Sequence, residues 1–454
     1  MCRNRLRSAL TGLTPVVAIV VLLLSSREAP IAGSDAAGAG AHRFVNGRWF
    51  DGESFESGTL YSVDGVLRQE APAGHVRTID LAGGYVVPPF GDAHTHLFDS
   101  AYHLGPVLER YLERGIFYAK EANNSIAGRD AVAGKVNLPT SVDVSYANGG
   151  LTTKFGHPMV LYEALQLGLY TPQAQRAAAD RLRQKNEMEN DGYFVVESEE
   201  DLATKWDSIL AGRPDFLKIY LLRSERFQET RNDPEHFGRR GLDPALVPEV
   251  IDRAHAAGLR VAAHVETGSD FGVAIRAGVD EFAHLPGYGL RRLAPDEESV
   301  YTIREEDARL AGERAVVAVP TYSLAQRWRG DEVDLAKGQA VQAANLKLLK
   351  AHGVRIAVGS DSNAGSFRSG ADALEEAMYL RGLGVFTDRE LLRAWVETTP
   401  QAIFPGRKIG RLVEGYEASF LVLKGNPLED FGQVKAITLR VKQGLVLRGG
   451  DFDF

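Results

Sequence analysis

Hydrophobic and polar positions follow a recurring phrase through the middle of the chain. A helix-patterned stretch ends in a glycine, a short apolar run follows, and a polar residue closes it. Gly212 precedes Lys218 by six positions, Gly258 precedes His264 by six, and Gly278 precedes His284 by six; Gly353 precedes Asp361 by eight. A glycine just past a helix allows the left-handed turn into a strand, and six residues is about one strand length. The polar residues are therefore expected at the carboxyl ends of strands. Eight strands are predicted: Tyr85–Ala93, Gly115–Lys120, Ser141–Tyr146, Asp215–Ile219, Arg260–Ala263, Glu281–Ala283, Val316–Pro320 and Arg355–Gly359. Alternation with helical patterns implies parallel βα units. The alternative, a doubly wound open sheet, has a Gly-rich phosphate turn near its first strand as its usual cue, and none is found here. A (β/α)8 barrel is the expected α/β architecture, with its chemistry on the carboxyl-terminal rim.

The two ends have a different pattern. Residues 43–87 and 418–447 read as short strands, with Asn46-Gly47, Asp64-Gly65 and Gln443-Gly444 as hairpin signals. They are expected to pair into one small discontinuous β domain. The predicted boundaries are 42–87 and 407–454 for its two parts and 88–406 for the barrel. Residues 1–36 stand apart: Arg3, Arg5 and Arg7 precede an apolar run from Leu13 to Leu24, then Ser, Ala and Gly. That layout predicts a signal peptide and export, periplasmic or secreted. The run is shorter than the roughly 20 residues that span a bilayer, so no stable membrane insertion is expected after its removal.

Composition narrows the function. With 454 residues, 44% hydrophobic and 25% charged, the chain is long enough for a barrel and a smaller domain. A net charge of −8 without a Lys/Arg stripe argues against nucleic acid. The single cysteine, Cys2, falls in the leader, which excludes a cysteine protease. A small-molecule or dipeptide substrate is the expected partner, in a chain that could form a homo-oligomer.

His94-Thr95-His96 follows an apolar strand, and residues two apart share a face, so both imidazoles can reach one divalent cation. Charged or imidazole groups are costly to bury without partners, yet Lys218, His264, His284 and Asp361 each end an apolar strand. The ordered set His-x-His, Lys, His, His, Asp on the first, fourth, fifth, sixth and eighth strands resembles the amidohydrolase superfamily, as does the closing run Ile409–Leu423. The resemblance covers the chain beyond the leader and implies that the two ends form a composite β-sandwich. It implies two divalent ions, zinc by default: His94, His96 and Asp361 would hold the buried one, His264 and His284 the outer one, and Lys218, as a carbamate, would bridge them. Attack of a metal-bridging hydroxide on an amide, with Asp361 as general base and acid, would cleave a dipeptide or N-acyl amino acid. His157, in Gly156-His157-Pro158, resembles a substrate-contacting element of the prolidase-like branch. Tyr220 shares a face with Lys218 and could donate to an oxyanion. Arg223 could meet a substrate carboxylate, and Lys154 is a second candidate for the bridging lysine. The remaining histidines, at 42, 75, 103, 236, 255 and 352, read as structural or surface. Two alternatives stay open: a mononuclear deaminase or cyclic-amide hydrolase, and a catalytically silent binding protein on the same scaffold.

Overall fold

The computed structural model describes residues 40–448 except 170, 291–296, 328–331 and 369. The expected leader, 1–36, lies outside the described residues. Eight parallel strands form the barrel: β1 Phe90–His96, β2 Ile116–Glu121, β3 Asp143–Tyr146, β4 Leu217–Tyr220, β5 Val261–His264, β6 Glu281–Phe282, β7 Val317–Ala318 and β8 Arg355–Ile356. β1, β2 and β3 pair in order, and so do β4 through β8. Two seams close the ring: Asp215 N donates to Tyr146 O at 2.9 Å between β3 and β4, and Ala93 N donates to Val358 O at 2.8 Å between β8 and β1.

Helices cover the outside with one apolar face each. In the helix Leu104–Glu113 the buried residues are Leu104, Val107, Leu108, Tyr111 and Leu112, the i, i+3, i+4 spacing of a core-facing stripe. Each such side chain contributes about 1.5–3 kcal/mol on burial. Stacked rings add to the packing, Phe90 on Trp395 and Phe271 on Phe282, each pair 3.9 Å between centroids.

Both chain ends enter one eight-stranded sheet, in which Tyr85–Val87 pairs with His42–Phe50 on one side and Phe420–Leu423 on the other. Its apolar face encloses Phe44, Trp49, Val86 and Phe420. The sheet is fastened to β3 by a buried cation. Lys442 Nζ donates to Leu138 O (2.7 Å), Ser141 O (2.6 Å) and Asp143 Oδ1 (2.6 Å). Among the described residues no helix is long and apolar enough to cross a membrane.

Three local expectations are corrected. Asn46-Gly47 does not turn a hairpin but forms a bulge inside the strand His42–Phe50, with Asn46 at φ 56° and its amide donating to Asp80. Gly212 is not a left-handed cap: its φ is −66°, and Arg213 takes the left-handed turn instead at φ 49°. The glycine is there for close approach, since a Cβ would stand 3.1 Å from Asn148 Nδ2 and from Ile126 Cδ1. Two short strands not foreseen lie between β3 and β4 in the chain: Gly150–Thr152 pairs with β4, and Tyr193–Val195 pairs with Gly150–Thr152.

Candidate metal centre

Alternation along β1 carries His94 and His96 towards the barrel mouth. His94 is buried, at 1% exposure, and its Nε2 lies 3.3 Å from His96 Nε2. Asp361 arrives from the loop after β8. Its Oδ1 stands 3.5 Å from His94 Nε2 and 3.3 Å from His96 Nε2. Asp361 itself sits in the left-handed region, φ 49°, with its N–H donating to His94 O at 2.7 Å. His94, His96 and Asp361 thus offer ligand atoms within 4.8 Å of one another.

The wall continues in imidazoles. The His284 ring lies 4.4 Å from that of His94 and 4.6 Å from that of His264, centroid to centroid. His264 is flanked by His157 at 5.2 Å and Tyr220 at 5.3 Å. Lys218, from β4, is 1% exposed, and its Nζ has no hydrogen-bond partner. The Tyr220 ring lies 5.4 Å from that nitrogen. Gly150 makes the packing possible: a Cβ there would stand 2.5 Å from Tyr220 Cε2 and 3.1 Å from Lys218 Cγ.

The electrostatics of this wall favour a bound cation over protons on the imidazoles. Burial, followed by the charge of Lys218, holds His264 and His94 well below the usual histidine range; burial and the neighbouring His94 do the same for His284. They are held neutral, the form of imidazole that metal coordination requires. Burial works against a proton on His96, but its bonds to Asp361 and Glu121 prevail and raise it to about 10. That proton occupies a place where the carboxylates call for positive charge. Burial pushes Lys218 down to about 7, so its amine is partly neutral at physiological pH. An orphaned amine among neutral imidazoles, together with the buried and unpartnered Nδ1 of His94, fits a site built for metal ions.

Comparison with known proteins gives the family and the fold. The amidohydrolase family model Amidohydro_3 matches residues 218–443. Ochratoxinase from Aspergillus niger is 30% identical over 229 residues, which is 48% of this chain and 44% of the relative, so the match spans less than half of that enzyme. Among solved structures, A. niger ochratoxinase superposes with a TM-score of 0.66 at 18% identity, covering 90% of this chain and 96% of the other. The chain belongs to the amidohydrolase superfamily. A prolidase complexed with N-methylphosphonate-L-proline has a TM-score of 0.64 at 19% identity, covering 90% and 99% of the two chains. A Xaa-Pro dipeptidase with bound methionine gives 0.63 at 18%, covering 90% and 100%.

This amidohydrolase site gathers His94, His96, Lys218, His264, His284, Asp361, His157 and Tyr220. Lys154 is exposed, its ammonium over the Phe155 ring, which removes it as a rival to Lys218. Arg223 donates to the Tyr301 hydroxyl at 3.0 Å. Three histidines set aside in the sequence hydrogen-bond carboxylates away from the site: His255 with Asp280, His236 with Asp233 and His352 with Glu305.

Other contributors went unnoticed in the sequence. Glu121, fully buried at the end of β2, places Oε1 3.4 Å from His96 Nδ1 while Oε2 accepts from Phe98 N. Thr321 Oγ1 lies 2.7 Å from His284 Nδ1. Thr321 holds the His284 ring by a hydrogen bond at its far nitrogen, and the Glu121 carboxylate stands beside that of His96. Tyr288 stacks on His284 at 4.0 Å. Glu121 had a signal, an acid at the end of an apolar strand like Lys218; Tyr288 and Thr321 lie in loops, where no periodicity indicates direction.

Proposed function

We propose that this protein hydrolyses an amide C–N bond of a dipeptide or N-acyl amino acid, using two divalent cations, zinc by default. His94, His96 and Asp361 would hold one, His264 and His284 the other, and Lys218 would join them as a carbamate. The observation that carries this reading is the orphaned Lys218 amine within the ring of imidazoles. An ammonium cannot ligate a cation, whereas CO2 adds to a neutral amine with loss of a proton to give a carboxylate that can. The family, a relative named for ochratoxin and fold neighbours named prolidase and dipeptidase support an amide substrate.

Bound cations would supply Lewis acidity at the carbonyl and a nucleophilic water at neutral pH. The chain's own groups do the rest. The oxygen of water adds to the carbonyl carbon while Asp361 takes its proton. The tetrahedral adduct then collapses, the C–N bond breaks with its electron pair going to nitrogen, and Asp361 returns the proton there. The products are a carboxylic acid and an amine. His157 is held neutral, its pKa pushed down to about 3 by burial and by His264, so it can accept a hydrogen bond from the substrate. Tyr220, against His157 and His264, would orient them. Residues 1–36 would export the enzyme to where free peptides serve as nutrients.

The test is a panel of dipeptides, N-acyl amino acids, lactams and esters with metal-loaded protein, alongside metal analysis. Amide cleavage with about two ions per chain is expected. One ion with ring deamination would favour the mononuclear reading, and no turnover would favour a binding protein.

A further inference from the structure

We propose that Tyr288, rather than Tyr220, is the phenol that hydrogen-bonds the substrate carbonyl oxygen as it gains charge, and that Gln342, Asn345 and Tyr322 hold it there. The inference rests on the amide-hydrolysis reading above. Tyr288 follows β6 in a loop at the mouth. Its ring lies flat on His284, 4.0 Å between centroids and 17° between planes, and its hydroxyl is 3.4 Å from His264 Nε2. Its hydroxyl therefore stands beside the two imidazoles assigned to the outer cation, where a substrate carbonyl must arrive. Tyr288 is half-buried, whereas Tyr220 is 2% exposed and wedged between His157, His264 and Gly150. Tyr220 is thus an internal support, and Tyr288 the phenol open to a ligand.

The loop that carries Tyr288 is held by its backbone. Pro286 O accepts from Tyr322 OH and from Asn345 Nδ2, each at 3.2 Å, and Gly287 O accepts from Gln342 Nε2 at 2.9 Å. Tyr379 OH donates to Gln342 Oε1 at 2.6 Å. Gln342, Asn345 and Tyr322 are at most 1% exposed. Buried amides are costly unless satisfied; here two of them are committed to consecutive carbonyls just before one tyrosine. Gly287, at φ +87°, makes the turn that lays the ring on His284. Fixed donors aimed at developing charge need no rearrangement at the moment of reaction.

Tyr288→Phe removes one oxygen and keeps the stacked ring. On an amide that the wild type cleaves, kcat should fall by about 10²–10³, with KM and metal content little changed. Gln342→Met should give a smaller loss, also in kcat rather than KM, and should add little to Tyr288→Phe because both act through one hydroxyl. Independently of turnover, calorimetry of methylphosphonate on zinc-loaded protein should show binding about tenfold to hundredfold weaker in Tyr288→Phe. Unchanged kcat together with unchanged methylphosphonate affinity would overturn the proposal, as would loss of metal from Tyr288→Phe, which would make the phenol a support for the ligands. If the wild type cleaves no amide, the hydrolysis reading fails and the methylphosphonate comparison alone decides Tyr288.

Discussion

Replacing Lys218 with methionine should stabilise the metal-free protein while disabling its metal site. The Lys218 amine is buried without a partner. Its pKa is pushed from an ordinary 10.5 down to about 7, chiefly by burial, with Asp361 and Glu281 resisting and Lys120 assisting. Between those values the unfolded chain binds a proton that the folded chain has lost. Folded wild type is therefore penalised by roughly 4 kcal/mol at pH 7, and its stability rises with pH until the unfolded amine also loses its proton. Methionine fills the same channel with an unbranched stem, does not titrate and leaves no orphaned donor. In chelator and CO2-free buffer, urea unfolding should find Lys218→Met more stable than wild type by up to about 4 kcal/mol at pH 7 and by roughly 1.5 kcal/mol at pH 9.5. The narrowing gap is the signature, because an ordinary packing gain would not depend on pH. A less stable variant, or a constant gap, would refute the account of Lys218 as a strained, buried amine.

Other consequences follow from the same geometry. Wild type should retain about two divalent ions per chain after dialysis and Lys218→Met at most one, read by elemental analysis. Glu121→Gln should weaken metal binding by about 10–100-fold through the orientation of His96, with activity recovered at high metal concentration; full affinity in chelator titrations would remove Glu121 from that role. Asp361→Asn should keep most of the metal yet lose turnover, since the group that moves the proton is gone; an active variant would reassign the base. Gly150→Ala should lower activity without unfolding the barrel, because its Cβ must displace Tyr220 and the Lys218 stem, and circular dichroism with kinetics separates the two effects.

Much of the barrel was readable because burial imposes an unusual pattern on it. Strands covered on both faces are apolar throughout, so Lys218, His264 and His284 are conspicuous where they end such runs, and chain order then supplied the site. The same logic reached its limit at short elements and at loops. Gly150–Thr152 and Tyr193–Val195 are three residues each, too short for any period to register. Gly212 looked like the other strand-leading glycines, yet it is needed for room beside Asn148; a sequence shows the residue and not which of the two reasons put it there. Asn46-Gly47 has the composition of a hairpin turn, but pairing on both sides of His42–Phe50 absorbs it as a bulge. The direction of Tyr288 depends on carbonyls held by a helix about fifty residues later in the chain, a relation that exists only after folding.

The buried carboxylate of Asp92 has its role at the seam between β8 and β1. His94 from one strand and Asp361 from the loop after the other meet there. Asp92 is fully buried and accepts from Ser360 N at 2.9 Å, Ser360 Oγ at 2.7 Å and Tyr111 OH at 2.9 Å, with His94 N at 3.3 Å. Burial raises its pKa to about 6 against the pull of those donors, so it is charged at neutral pH at some cost. In return one carboxylate clamps the residue before Asp361 to the strand of His94. Asp361 is in a left-handed conformation that costs a non-glycine residue about 1–3 kcal/mol, and the clamp on Ser360 together with the bond from Asp361 N to His94 O is what makes that conformation the stable one. An apolar residue at position 92 would relieve the buried charge but leave Ser360 and Asp361 held to this strand only through their bonds to His94 O, loosening the aim of Asp361 at His94 and His96.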